Sequence, residues 1–345
     1  MDKIQNLSKA RKESIKISNR KFDEFCLDNY QKSRDGIIEY VKTLDVEEKE
    51  DELLEVLQEW LNHLHKTLVV SSMRVKLTDI NRYLKYHKLR VDTKDLEWPQ
   101  ELHEEPYAIS IEEIHEILKV AKWKKQGYYL ALISTGSRPI EILGLKKRDI
   151  QWNPDFSCYT ALIPARLTKK KIARTIKFSR EVNPYLNKLL KNIIDEDDLV
   201  FCKNPNLDDA RSNEDAVFRE YCNKVGFTQK YETTGRSKIN LYCFRGYFFT
   251  KTLRRFGDDT AHALTGHGAY LQQYQRRTLE EKIELWNELE SDVLVFDMSK
   301  KNQEIKKLKE ANTQLADQAE EIKSQEKRIK RMEEMMTRTN FPESR

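Results

Sequence analysis

A chain of 345 residues exceeds one ordinary domain and accommodates two domains plus a tail. With 39% hydrophobic and 34% charged residues, it suits small cores with large polar faces and contains no run approaching a membrane span. Its net charge of +5 is too small to imply a nucleic-acid partner unless the basicity is local. Residues 1–19 are basic and weakly patterned, and they read as a poorly ordered arm. The first strong helix spans Asp45 to Leu68, with Leu53, Leu54, Leu57, Trp60, Leu61 and Leu64 on one stripe. Acids crowd its start, where the helix dipole favours them. A second amphipathic helix, about Ser72 to His87, turns Met73, Leu77, Ile80 and Leu84 inward. Residues 92–109 hold Pro99 and Pro106, lack periodicity and read as a linker.

A second domain opens at the capping-box pattern Ser110-Ile111-Glu112-Glu113. An apolar helix then ends at Thr135-Gly136, Arg138 sits at the turn, and Pro139 opens a short helix carrying Ile142 and Leu143. Alone, Arg138 reads as a capping or salt-bridge residue. From Cys158 to Phe178 two alternating segments flank a basic turn at Lys169, Lys170 and Lys171, predicting a β-hairpin. From Lys146 to Lys177 nine cations face only Asp149 and Asp155 in sequence, which is the local basicity that a nucleic-acid partner would need, although any single lysine here reads as part of a solvated face. Helical segments are expected at 181–195 and 213–225, followed by a polar loop from Gln229 to Lys238. Tyr242 and Arg245 fall on the first turns of an apolar helix, and Leu264-Thr265-Gly266-His267 and Tyr274 follow. After the capping box Thr278 to Glu281, the helix continues through Leu285, Trp286 and Leu289. Leu308, Leu315, Ile322, Ile329 and Met336 repeat every seven residues in the tail. The partner column of Asn312, Ala319, Glu326 and Glu333 is poor, so coiled-coil character is marginal.

The fold class expected is mainly α-helical with a small β-hairpin or sheet. The domain division expected is an arm, helical domain and linker over 1–105, a mixed α/β domain over 106–297, and a charged helical tail over 298–345. Five cysteines at 26, 158, 202, 222 and 243 show no paired spacing and no histidine ligand pattern. No disulfide framework, metal site or cofactor is expected, and a soluble cytoplasmic protein is.

Taken in order, these segments resemble the tyrosine recombinase (phage-type integrase) family. The resemblance covers about 110–297 well, the N-terminal helices only in general character, and the tail not at all. The segment Thr135-Gly136-Ser137-Arg138-Pro139-Ile140-Glu141 is similar to the first arginine box, and Phe244-Arg245 to the second. Gly266-His267 is similar to the family's Gly-His step. In the family's hairpin a catalytic lysine precedes an arginine by five residues, a spacing that Lys169 and Arg174 satisfy, although Lys170 or Lys171 could substitute. The chain departs from the pattern in three places. Tyr242 stands where His or Lys is usual, and Gly246 where His is frequent. Tyr274 follows His267 by seven residues rather than about nine; Tyr270, only three beyond, would share the histidine's turn.

The resemblance implies a helical core-binding domain, a recombinase catalytic domain, and double-stranded DNA as partner. It also implies a homo-oligomer, a tetramer on paired sites. Cleavage and rejoining would pass through a covalent 3′-phosphotyrosyl intermediate with Tyr274 as nucleophile. Arg138, Arg245 and His267 would stabilise the phosphate, and Lys169 would donate a proton. Neither ATP nor metal is implied, because the phosphodiester energy is kept in the intermediate. Two other functions fit parts of the pattern: a catalytically silent DNA-binding homologue, and a type IB topoisomerase-like nicking and closing enzyme.

Overall fold

The computed structural model describes residues 7, 9–266, 277–296, 318, 322 and 323. The chain divides into two compact units, Met1–Pro106 with Lys230–Ser237, and Tyr107–Gln229 with Lys238–Arg345. His267, Tyr270, Tyr274 and nearly all of the tail lie outside the described residues.

The first unit is built from α1 (Lys9–Tyr30), α2 (Arg34–Thr43), α3 (Val46–His65) and α4 (Val70–Tyr86). Helix α1 corrects the expectation of an arm through residue 19. Its apolar positions are sparse, but Phe22, Phe25 and Cys26 are buried against α3 residues including Trp60. Phe22 meets the Trp60 ring edge-on at 4.9 Å. A buried polar network also ties α1 to α4. Asp79, 1% exposed, accepts from Ser18 Oγ at 2.7 Å and pairs with Arg11. Beyond α4 the chain is extended but docked: Leu96 is buried in this core, and Gln58 exchanges hydrogen bonds with both the N–H and the carbonyl of Glu97. The 230–237 turn belongs to the same unit, with Thr233 donating from N and Oγ1 to Glu104 Oε1 at 2.8 and 2.9 Å.

The second unit holds α5 (Ile111–Val120), α6 (Trp123–Thr135), α7 (Pro139–Leu143), α8 (Asn183–Lys191) and α9 (Leu207–Lys224). It continues with α10 (Tyr242–Phe256), α11 (Asp258–Thr265) and α12 (Leu279–Val293). Helix α6 is its centre, buried on all sides from Gly127 to Thr135, as expected for a helix without a polar face. Three antiparallel strands, β1 (Ile150–Asn153), β2 (Cys158–Ile163) and β3 (Arg174–Lys177), pair in the order β1-β2-β3. The predicted hairpin is therefore two strands of a three-stranded sheet. Helix α9 begins six residues before the segment expected from sequence. Ile283, Trp286, Leu289 and Val293 bury α12, and Lys177 of β3, 3% exposed, meets Glu290 at 3.1 Å. No described helix is long and apolar enough to cross a membrane.

The basic run is less free than its sequence suggests. Lys146 and Arg148 each reach Asp197 at 2.7 Å, and Lys147 reaches Glu196 at the same distance. The N–H groups of Lys147 and Arg148 also donate to the carbonyls of Asp198 and Glu196. With Lys177 on Glu290 and Arg174 on Glu141, five of the nine cations are opposed by acids distant in sequence.

Candidate active site

The site starts from the turn between α6 and α7. Gly136 ends α6 in the left-handed conformation at φ +58°, and a Cβ there would lie 2.3 Å from the Phe248 ring. Both constraints demand glycine. The turn leaves the buried Gly136 carbonyl for a side-chain donor and sets Arg138 at the start of α7. Arg138 donates from its N–H to Glu141 Oε2 at 2.8 Å and from Nη1 to Oε1 at 2.9 Å. Its side chain is 19% exposed, whereas that of Glu141 is fully buried.

Arg245 enters from one turn into α10. It is 6% exposed and donates from Nη1 to Gly136 O at 2.5 Å and from Nη2 to Thr265 O at 2.8 Å. The two carbonyls belong to the C-terminal ends of α6 and α11, so a single guanidinium closes two helix termini. Carbonyl dipoles there are favourable partners for a cation. Among the described residues no carboxylate pairs with Arg245. Burial, followed by repulsion from Arg138 and Arg174 and offset by attraction to Glu141, pulls its pKa down to about 10.

Arg174 of β3 is a residue that sequence reading placed only by its spacing from Lys169. Its Nη2 reaches Glu141 Oε2 at 2.6 Å and its Nη1 reaches Oε1 at 3.2 Å, with Ser137 Oγ at 3.4 Å from Nη2. Two guanidiniums therefore hold one carboxylate, and Arg245 lies within electrostatic reach of all three groups. Burial pushes the Glu141 carboxyl up, but the hydrogen bonds and charges of Arg174 and Arg138 outweigh it and hold it below the usual carboxylate range. With one negative against three positive groups, the cluster favours an anion.

The remaining candidates are distributed around this centre. Lys169 is exposed on the β2–β3 connection, and Lys170 and Lys171 beside it are exposed as well. Tyr242 is 47% exposed at the first position of α10, where its N–H donates to Asn240 Oδ1 at 2.9 Å. Gly266 closes α11 in the left-handed conformation at φ +69° and is the last residue described before His267. The structure thus brings Arg138 and Arg245 together, adds Arg174 and Glu141, and leaves Lys169 and Tyr242 at the surface. Among the described residues no group of three His, Cys, Asp or Glu could hold a metal ion.

No protein-family model matches the chain, and no characterised protein matches its sequence. Solved structures of recombinases and integrases match it over most of its length. XerA recombinase is 18% identical, with 79% of this chain and 98% of that chain covered and a TM-score of 0.39. The integrase from mycobacterium phage Brujita is 14% identical, covers 85% and 89%, and has a TM-score of 0.42. A lambda integrase tetramer bound to a Holliday junction is 11% identical, covers 66% of each chain, and has a TM-score of 0.49. These are likenesses of chain path at low identity, and no residue's role follows from them.

Proposed function

We propose that this chain is a tyrosine-type DNA strand transferase, a site-specific recombinase or integrase that cuts and rejoins DNA strands. The observation that carries the proposal is Arg245, a nearly buried guanidinium held by two carbonyls, with no carboxylate paired to it among the described residues, beside two further arginines. Desolvating a cation costs on the order of several kcal/mol unless an opposite charge compensates it. A phosphodiester would supply that charge, and more of it as attack proceeds.

In the proposed reaction the Tyr274 phenol oxygen attacks the phosphorus and the P–O5′ bond breaks, leaving a 3′-phosphotyrosine. Tyrosine's ordinary pKa is about 10, so the phenol needs a base or a cationic pocket to lose its proton. Arg138 and Arg245 would meet the nonbridging oxygens, an effect worth about 3–4 kcal/mol for each donor of this kind. His267 would add a hydrogen bond, and Lys169 would hand a proton to the departing O5′. Attack by a 5′ hydroxyl reverses the step, so the exchange neither gains nor loses a phosphodiester.

On this reading residues 1–105 comprise an N-terminal segment, a core-binding domain and a linker, 106–297 the catalytic domain, and 298–345 the tail. The partner is double-stranded DNA, bound by a homo-tetramer on paired sites. The test is incubation with a nicked duplex that loses its short 5′ fragment on cleavage, followed by denaturing electrophoresis. A denaturation-resistant adduct mapping to Tyr274, and absent from Tyr274→Phe, is expected. DNA binding without an adduct would favour the silent homologue, and an adduct on Tyr270 would overturn the nucleophile assignment.

A further inference from the structure

We propose that Arg174 is a positioning residue for Arg138, acting through the Glu141 carboxylate that the two share; this rests on the reading of Arg138 as part of the phosphate clamp. Glu141 has no exposed side-chain surface, and each of its oxygens receives one donor from Arg138 and one from Arg174. The Arg174 half is a fork meeting a fork, which fixes the carboxylate plane as well as its position. The Arg138 half is one backbone N–H and one Nη1, so the plane fixed by Arg174 dictates where the Arg138 guanidinium lies. Arg138 is the more exposed of the two arginines, at 19% against 12%, and is the one placed to meet an incoming anion.

The position of Arg174 is itself tightly set. It is carried by β3, whose pairing with β2 puts Arg174 opposite Ile163. Its guanidinium lies over Gly266, where an added Cβ would come within 3.0 Å of Nη1. Among the described residues its buried Nε has no hydrogen-bond partner, and its terminal nitrogens make the contacts to Glu141 and Ser137. One side chain therefore registers the sheet, the α6–α7 turn and the end of α11 against one another. Lysine cannot replace it, because a single ammonium cannot meet both oxygens in the plane of the carboxylate.

The experiment uses the full chain and the variants Arg174→Lys, Arg174→Gln, Glu141→Gln and the double Arg174→Gln/Glu141→Gln. Single-turnover cleavage is measured on the nicked duplex with oxygen, and then with sulfur, at the bridging 5′ position, since a thiolate leaves without needing a proton. Arg138 reactivity toward phenylglyoxal is mapped by peptide mass in the same proteins, and thermal melts verify folding. Cleavage by either Arg174 variant should fall about 10- to 100-fold, the scale of a small misplacement of a catalytic group. DNA affinity should hold, sulfur should not restore the rate, and the double variant should be no slower than the slower single, as for residues acting as a unit. Arg138 should be labelled faster in every variant. Restoration by sulfur would move the role of Arg174 to the leaving group. Additive losses with weakened DNA binding would make it a direct phosphate contact, and unchanged Arg138 labelling would overturn the proposal outright. If wild type forms no adduct, the clamp reading fails, while the labelling still decides whether Arg174 positions Arg138.

Discussion

Arg245 donates to the carbonyl oxygen of Gly136 at 2.5 Å across 109 residues of chain. A second bond to Thr265 O makes the same guanidinium a brace between the ends of two helices. Arg245→Lys can satisfy at most one carbonyl in this planar arrangement. A lost buried hydrogen bond costs about 1–3 kcal/mol, and losing a donor to the developing charge lowers cleavage by about 10²–10³. Urea unfolding and single-turnover cleavage measure the two losses separately. A variant that cleaves normally would place Arg245 outside the chemistry.

The burial of Arg245 with no paired carboxylate among the described residues also predicts an anion site in the absence of DNA. Sulfate should raise the melting temperature of wild type more than that of Arg245→Gln at the same concentration. Salting-out acts on both proteins, so the difference reports the pocket. A ligand at one hundred times its Kd adds about 2.7 kcal/mol. Equal shifts in the two proteins would remove the anion-site argument.

Glu141 gives the cluster its acid sensitivity. Its folded pKa lies below the ordinary carboxylate value of 4.5 because Arg174 and Arg138 outweigh the effect of burial. A depressed carboxylate contributes its full stability above the ordinary value and loses it as pH falls through the lower folded one. The stability gap between wild type and Glu141→Gln should therefore be widest at neutral pH and close in acid. Urea titrations from pH 7 to pH 3 measure it; a gap independent of pH would mean that the carboxylate's charge is not what stabilises the site.

Part of this arrangement was legible in the sequence, and the boundary is physical. Helices α3 and α5 announce themselves through periodicity and caps, and the β2–β3 pair through alternation around a basic turn. Arg138 stands out beside the Gly136–Pro139 helix junction, and Arg245 through the resemblance of Phe244-Arg245 to the second arginine box. The four-residue strand β1 is too short to show alternation, and α1 shows few apolar positions because a polar network shares its anchoring. The pairing of Lys146 with Asp197 spans 51 residues and leaves no local trace. For the same reason, nothing around Arg174 shows that its partner is Glu141.

That nonlocal pairing carries its own prediction about DNA affinity. Each phosphate contact contributes about 0.9 to the slope of log K against log salt. Lys146, Lys147 and Arg148 already face Asp197 and Glu196. Replacing Lys147 by Ala should leave the salt slope unchanged. A fall of about one unit would show that DNA displaces the acid and takes the lysine.

The remaining question is which lysine serves the leaving group. Lys169 is exposed on the β2–β3 connection, and among the described residues it makes no hydrogen bond or ion pair. Lys171 is more constrained, in the left-handed region at φ +58° with its Nζ 3.3 Å from Arg166 O. A proton donor has to reach O5′ from an uncommitted position, which favours Lys169. Lys169→Ala should slow cleavage of the oxygen-bridged duplex by about 10²–10⁴, the usual worth of a positioned general acid. With sulfur at the bridging position most of that loss should disappear, because a thiolate departs unprotonated. The same substitution at Lys170 or Lys171 should produce no such sulfur-sensitive defect. If the sulfur effect instead follows Lys171→Ala, the donor is two residues further along the turn, and the five-residue spacing to Arg174 is incidental.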